Sequence, residues 1–267
     1  MAIAILVIAV GLWRTLQTPS QNRVWAADQA RLPQVAIDGT RVTIENLRDF
    51  PADVPASNTV AHYKSATYDV DALESVWFVL VPFSTAWRGP AHSFVSFGFK
   101  DGRYLAISIE ARREEGESYG LVAGLLRRFE LIYVLGEERD LIGRRAAQSD
   151  HPLYLYRIKT TPQALRAAFL GIVKRADGLR VQPEFYDTVF NNCTSNLIDQ
   201  LNAIAPGAVG WNWRRVLPGY ADNLALELGI IDTPLTLDQA RQSFRVDDRV
   251  RQFLHAPDFS ARIRTPA

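Results

Sequence analysis

Cysteine is almost missing: the 267 residues contain one, Cys193. A lone cysteine excludes an internal disulfide and a cysteine-rich zinc cluster. Histidine is scarce, with four, so a dedicated transition-metal site is not expected and no cofactor is called for. An excess of one charge is lacking too. The 30 Lys+Arg against 29 Asp+Glu leave +1, without the basic stripe that a general nucleic-acid binder needs. HExxH, a Walker loop, GxSxG and GxGxxG are all absent. There is no internal repeat and no low-complexity tract.

What is present can fold. An apolar fraction of 48% with 22% charged residues buries a real core and excludes disorder for the body. The length suits one or two domains, or one larger α+β domain. Residues 1–17 form a separate opening: Met1 to Trp13 is uncharged and nearly all apolar, and Arg14 ends it. The run is too short to span a bilayer core of about 30 Å. It also lacks the basic start of a signal peptide. It reads as the last part of a transmembrane helix or uncleaved signal anchor, with a buried helix as the alternative. Residues 18–33 are polar and read as a linker to the main domain, 34–267.

Within that domain, Arg41 to Ile44 alternates like a strand, and Ser75 to Phe83 is a continuous apolar run expected as a central strand. His92–Phe99 and Arg103–Glu110 flank Asp101-Gly102 and predict a hairpin. Glu130–Leu135 and Leu153–Ile158 are further strands. Helices follow. Thr161 with Pro162 opens one, carrying Leu165, Ala168, Phe169, Ile172 and Val173 on one face. A second starts at Asn191-Asn192-Cys193 and stops at Pro206-Gly207. A third spans Asp222 to Leu228 before Gly229, and a short one is expected at Leu237–Phe244 in a polar tail. The expected class is α+β: an antiparallel sheet packed against helices on one side.

Asn192 is a favoured N-cap, which places Cys193 in the first turn of its helix. Free N–H groups and the helix dipole there favour negative charge, biasing a thiol toward its thiolate and offering donors to an oxyanion. Cys193 could equally be a small buried hydrophobe. Its flanks, Asn191, Asn192, Thr194, Ser195 and Asn196, are all polar. His62, His151 and His255 lie in loop-like contexts and read as solvated. His92 opens a strand, where a side chain is held rigidly, and is the candidate base for Cys193.

Hairpin register decides the role of Glu110. A two-residue turn pairs residues whose numbers sum to 203 and turns Glu110 away from His92. A three-residue loop with Gly102 left-handed gives 202 and puts them on one face. In the first case Ser108 or a carbonyl must orient the imidazole. Arg112 reads as part of a solvated charged run or as an anion-binding residue. Glu137, Glu138, Arg139, Asp140, Arg144 and Arg145 read as surface or ion-pair residues. Tyr186 and Tyr220 read as core aromatics that could line a pocket.

Five segments carry a resemblance: YDVDALESVWFVLVPF, HSFVSFGFKDGRYLAISIEARREEGESYG, LYLYRIKTTPQALRAAFLGIVKRADGL, PEFYDTVFNNCTSN and WRRVLPGYADNLALELGIID. Together, over about Asn46 to Arg262, they resemble the bacterial family that includes the N-terminal periplasmic domain of Lnb-type lipoprotein N-acyltransferases. The resemblance implies a papain-like thiol fold in which the His strand precedes the Cys helix, as in lecithin:retinol acyltransferase-like enzymes. It implies Cys193 as nucleophile, His92 as base and Glu110 within the SIEAR motif, with Asn191 or Asn192 helping the Cys193 N–H at an oxyanion. It also implies passage of an acyl group through a Cys thioester to an amine. The membrane-embedded domain that follows in Lnb has no counterpart here, so general thiol chemistry is the expectation rather than lipoprotein acylation itself. The expected protein is a membrane-anchored, periplasm-facing thiol acyltransferase or hydrolase acting on an ester or amide carbonyl. A lipid or lipoprotein is the expected substrate, and the inner membrane is held through the N-terminus. The alternatives are a cell-wall peptide amidase or peptidase, and a non-catalytic envelope interaction domain.

Overall fold

The computed structural model describes residues 1, 11–54 and 60–265. The apolar run expected as an anchor falls largely on residues 2–10, outside the described residues. Eight strands make one sheet: β1 (Gln34–Asp38), β2 (Arg41–Arg48), β3 (Tyr63–Asp69), β4 (Leu73–Pro82), β5 (Ala91–Phe99), β6 (Tyr104–Arg112), β7 (Glu130–Gly136) and β8 (Tyr154–Arg157). Their order is β1-β2-β7-β6-β5-β4-β8, with β3 also paired to β2. All pairs are antiparallel except β2 and β7, which meet in parallel at Arg48↔Gly136. The class is mixed α+β. β4, expected as central, lies between β5 and β8, and β6 holds the middle of the order.

The helices are α1 (Leu121–Leu125), α2 (Arg144–Ala147), α3 (Pro162–Gly178), α4 (Cys193–Ile204), α5 (Ala221–Glu227), α6 (Leu237–Ser243), α7 (Asp247–Gln252) and α8 (Phe259–Arg262). α3 starts where Thr161 accepts a hydrogen bond from the Ala164 N–H. Its apolar stripe, Leu165, Phe169, Ile172 and Val173, packs on Phe97, Ile107, Ile109 and Tyr133. Burying each such side chain contributes about 1.5–3 kcal/mol.

Helices cover both faces of the sheet, not one. The opposite face buries Val79, Val81, Phe94, Ala106, Ile132 and Val134 under Leu141, Ile142, Ala146, Val250, Leu254 and Phe259. Those covering residues come from the π-helical turn Arg139–Gly143, from α2, α7 and α8, and, for Leu254, from the turn that follows α7. Charged residues dominate that sequence, so its buried stripe hides behind its ion pairs. Double coverage explains why β4 to β7 read as apolar runs rather than as alternation.

Residues 18–33, expected as a linker, lie along the domain as a strap. Gln21 Nε2 donates to the Leu179 carbonyl at 2.7 Å, and Trp25 forms an antiparallel bridge to Glu114. Among the described residues no helix is long and apolar enough to cross a membrane.

Candidate active site

The hairpin β5–β6 closes through Lys100-Asp101-Gly102. The Gly102 N–H donates to the Phe99 carbonyl at 2.9 Å, and the Phe99 N–H to the Arg103 carbonyl at 3.0 Å. Gly102 has φ +82°, where a glycine meets no penalty. The pairs Phe94↔Ser108, Ser96↔Ala106 and Gly98↔Tyr104 all sum to 202. This is the three-residue geometry, and it puts His92, Ser108 and Glu110 on one face.

The imidazole and the carboxylate do not meet directly; Glu110 Oε1 is 3.9 Å from His92 Nε2. Ser108 joins them. Its hydroxyl donates to Glu110 Oε1 at 2.7 Å and lies 2.7 Å from His92 Nε2. A hydroxyl has one proton. Since Ser108 spends it on Glu110, its oxygen accepts from His92 Nε2–H. That fixes the tautomer and leaves the lone pair on Nδ1. Burial, and then the nearby Arg145 guanidinium, push the His92 pKa from 6.5 down to about 3, with Glu110 opposing them. The ring is therefore neutral at ordinary pH.

Glu110 is held as a carboxylate. Burial alone would raise its pKa; Arg145 first, then His92, Arg48 and the Ser108 hydrogen bond, bring it well below the usual carboxylate range. Arg145 Nη2 donates to Oε1 at 2.7 Å. Gln29 Nε2, delivered by the strap, donates to Oε2 at 2.9 Å. Sequence reasoning missed both partners. It took Gln29 for linker and placed Arg145 only among surface or ion-pair residues. No local pattern brings position 29 or 145 to position 110.

Cys193 is the first residue of α4. Asn192 caps it: Asn192 Oδ1 accepts from the Ser195 N–H at 2.9 Å, and Ser195 Oγ accepts from the Asn192 N–H at 2.8 Å. The reciprocal cap fixes the helix start, so the Cys193 and Thr194 N–H groups fall in the turn that has no intrahelical acceptor. Cys193 is buried. Its sulfur has one hydrogen-bond contact among the described residues, with its neighbour Thr194 Oγ1 at 4.0 Å. Thr194 Oγ1 lies 2.8 Å from Ser93 Oγ, which ties α4 to β5.

His92 and Cys193 come from opposite faces of the sheet. Position 92 faces the side of Val81 and Phe94, whereas α4 packs on the side of Ile109 and Tyr133. They come together only at the strand ends, where both line one cleft of 190 Å³. Phe83, Ala91, Glu110, Arg145, Tyr119 and Tyr186 share its walls. No hydrogen bond joins ring to sulfur. A second cavity of 230 Å³ lies behind Thr194, walled by Val95, Phe97, Ala168, Leu197, Ile198 and Leu224. It is far more apolar than the cleft.

Other candidates separate clearly. Asn192 spends its amide on the Thr188 and Arg215 carbonyls, at 2.8 and 3.0 Å. Asn191 spends its own on Glu184 and the Phe185 carbonyl. Neither amide is free for an oxyanion, and neither residue lines the cleft. Arg112 is buried and holds the strap through the Gln29 and Ala30 carbonyls, at 3.0 and 2.8 Å, with its guanidinium over Trp25. It is a structural anchor rather than an anion site. Tyr186 is buried and lines the cleft as well. His62 and His255 are exposed. Among the described residues no group of three or more His, Cys, Asp or Glu is placed to hold a metal ion.

A protein-family model described as the Lnb N-terminal periplasmic domain matches residues 59–219, more than half of the chain. His92, Ser108, Glu110, Arg145 and Cys193 all fall inside the match; Gln29 does not. No curated protein and no solved structure matches.

Proposed function

Since the chain belongs to the family of Lnb N-terminal periplasmic domains, we propose that it is a periplasm-facing thiol acyltransferase or hydrolase of papain-like type working through a Cys193 thioester. The observation that carries this reading is one cleft walled by a helix-start cysteine and by an imidazole whose tautomer a serine–carboxylate relay holds. A held tautomer with a free ring nitrogen facing a cleft is what acid–base work on a thiol requires.

The resting imidazole is neutral, so the thiol proton moves to His92 Nδ1 as attack proceeds. Cys193 Sγ turns from Thr194 toward the cleft to make that contact. The sulfur adds to an ester or amide carbonyl, and the oxyanion is held by the Cys193 and Thr194 backbone N–H groups. The imidazolium hands its proton to the leaving oxygen or nitrogen, and a thioester remains. His92 then deprotonates an incoming amine or water, which releases the acyl group. Glu110, kept ionised by Arg145, stabilises the transient imidazolium through Ser108.

The apolar cavity behind Thr194 supports an acyl chain on the carbonyl, and hence a lipid or lipoprotein substrate. The polar lining by Gln29, Glu110, Arg113 and Arg145 supports a second reading, an amidase or peptidase of cell-wall peptides. In either case residues 1–17 anchor the domain to the inner membrane.

Intact-mass spectrometry after incubation with p-nitrophenyl acyl esters of increasing chain length tests the proposal. Wild type should gain one acyl mass, more strongly for longer chains, and Cys193→Ala should gain none. Equal ester turnover by the two proteins, with no adduct, would overturn it.

A further inference from the structure

Large apolar side chains are exposed around Asp187, a few residues ahead of Cys193. Asp187 exchanges backbone hydrogen bonds with Asn191, at 3.1 and 3.0 Å, and so braces the start of α4. Arg14 forms an ion pair with the Asp187 carboxylate, which pins the helical segment 11–16 to this spot. Arg127 Nη1 donates to the Arg14 carbonyl at 3.2 Å. α1 packs here as well, because Thr188 Oγ1 donates to the Leu121 carbonyl at 2.9 Å. The result is a rim of three neighbouring pieces: Trp13 and Leu16, Val122 and Leu125, and Phe190. Their exposures are 47%, 76%, 69%, 39% and 74%. Isolated exposed hydrophobics are ordinary; a contiguous group beside a cleft marks an interaction surface.

The rim's own chemistry identifies its occupant. The arginines nearest it are paired: Arg14 and Arg127 with Asp187, Arg128 with Glu117, Arg23 with Glu114 and Glu130. Its attraction is therefore apolar rather than electrostatic. The segment pinned by Arg14 is joined in sequence to the uncharged apolar run that ends at Trp13, so a bilayer that takes up that run is tethered within a few residues of the rim. A tryptophan beside an arginine at the end of an apolar run suits the boundary between headgroups and acyl chains. Among the residues lining the cleft itself, Phe83 is also exposed.

We propose that this rim lies on a lipid bilayer and holds the Cys193 end of the cleft at the headgroup boundary. The inference rests on the proposed function only for the importance of that cleft, and its test needs no catalysis. Full-length chains carrying Cys193→Ser, with Val122→Cys, Phe190→Cys or Val60→Cys, are labelled with an environment-sensitive fluorophore. Each is mixed with phosphatidylcholine–phosphatidylglycerol vesicles containing a doxyl-lipid quencher. Val60 is 87% exposed and lines a hollow formed with Phe50, His62 and Arg139, away from the rim. Labels at 122 and 190 should shift to the blue and be quenched several-fold more than the label at 60, with little change when salt is raised. Equal quenching at all three positions, or none at 122 and 190 while the chain still floats with vesicles, would overturn the proposal. The latter outcome leaves the anchor alone at the membrane and assigns the rim to a protein partner. A bound rim together with an inactive wild-type thiol would defeat the enzymatic reading only.

Discussion

At the scale of single residues, the site depends on one hydroxyl. Ser108 converts a carboxylate that is 3.9 Å from the ring into an effective orienting group. Ser108→Ala removes the acceptor for Nε2–H and frees the other tautomer. The acyl-transfer rate should fall by about 10²–10⁴-fold, the usual worth of correctly held acid–base machinery. Ser108→Thr, which keeps the hydroxyl, should recover part of it. Single-turnover adduct formation measures both; equal rates for Ser108→Ala and wild type would remove the relay from the mechanism.

Proton linkage at His92 gives a second expectation. Its pKa in the folded protein is about 3, against 6.5 when exposed. The unfolded chain therefore binds the extra proton first. The stability in question is present above pH 6.5 and is lost as pH falls toward 3. The amount is on the order of a few kcal/mol. Urea unfolding at pH 7 and at about pH 5 should show wild type losing more stability than His92→Gln between the two conditions. An equal loss would mean that the ring is not held neutral.

At the scale of elements, the sequence was readable where local chemistry decides. Thr161-Pro162 marks the start of α3, Asn192 the start of α4, and Gly229, at φ +66°, the stop after α5. Lys100-Asp101-Gly102 left two registers open, and backbone hydrogen bonding selected one of them. β1 and β3 were not recognised, because QVAID is short and mostly exposed and YKSATYD is mostly polar; both pair with β2 alongside. α7 and α8 were taken for a polar tail. The π-helical turn at Arg139–Gly143 has no sequence pattern of its own; it is fixed by burial of Leu141 and Ile142 under α7.

Asn192 tests how far the cap determines the site. Asn192→Ala loses the first-turn acceptor, a loss of about 0.5–2 kcal/mol, and also the amide bonds to Thr188 and Arg215. Asn192→Asp keeps the acceptor alone. Thermal midpoints should order wild type above Asp above Ala, and thiol reactivity should fall in the same order if the cap sets the position of Cys193. Stability that falls with reactivity unchanged would separate the cap from the chemistry.

For the whole molecule, the sheet is a partition with chemistry from both sides. Cys193 belongs to the layer of α3 and α4, and His92, Ser108 and Glu110 face the layer of α2, α7 and α8. The cleft exists only at the strand ends, where the two layers meet. This explains why residues a hundred positions apart could be paired by resemblance while the cleft they share was not foreseeable: sequence periodicity assigns a residue to a face, and here the two occupy different faces. The second layer is fixed by a buried ion pair. Asp140 accepts from Arg48 Nε and Nη2 at 2.8 and 3.0 Å, from the Phe50 N–H at 2.9 Å and from Arg144 Nε at 3.3 Å. Arg48 also acts on Glu110 and Arg145 through its charge.

Asp140→Ala would leave the Arg48 guanidinium buried and uncompensated, at about 3–5 kcal/mol. After Asp140, the carboxylate that acts most strongly on Arg48 is Glu110 of the relay. Arg48 would then compete with Arg145 for Glu110, and the Ser108–His92 pair would lose its fixed acceptor. Adduct formation on Cys193 should therefore fall further than the folded fraction does, when both are measured at a temperature where the variant is still mostly native. A rate that follows the folded fraction alone would show that the two layers act independently, with the relay secured by Arg145 and Gln29 without help from the rest of its layer.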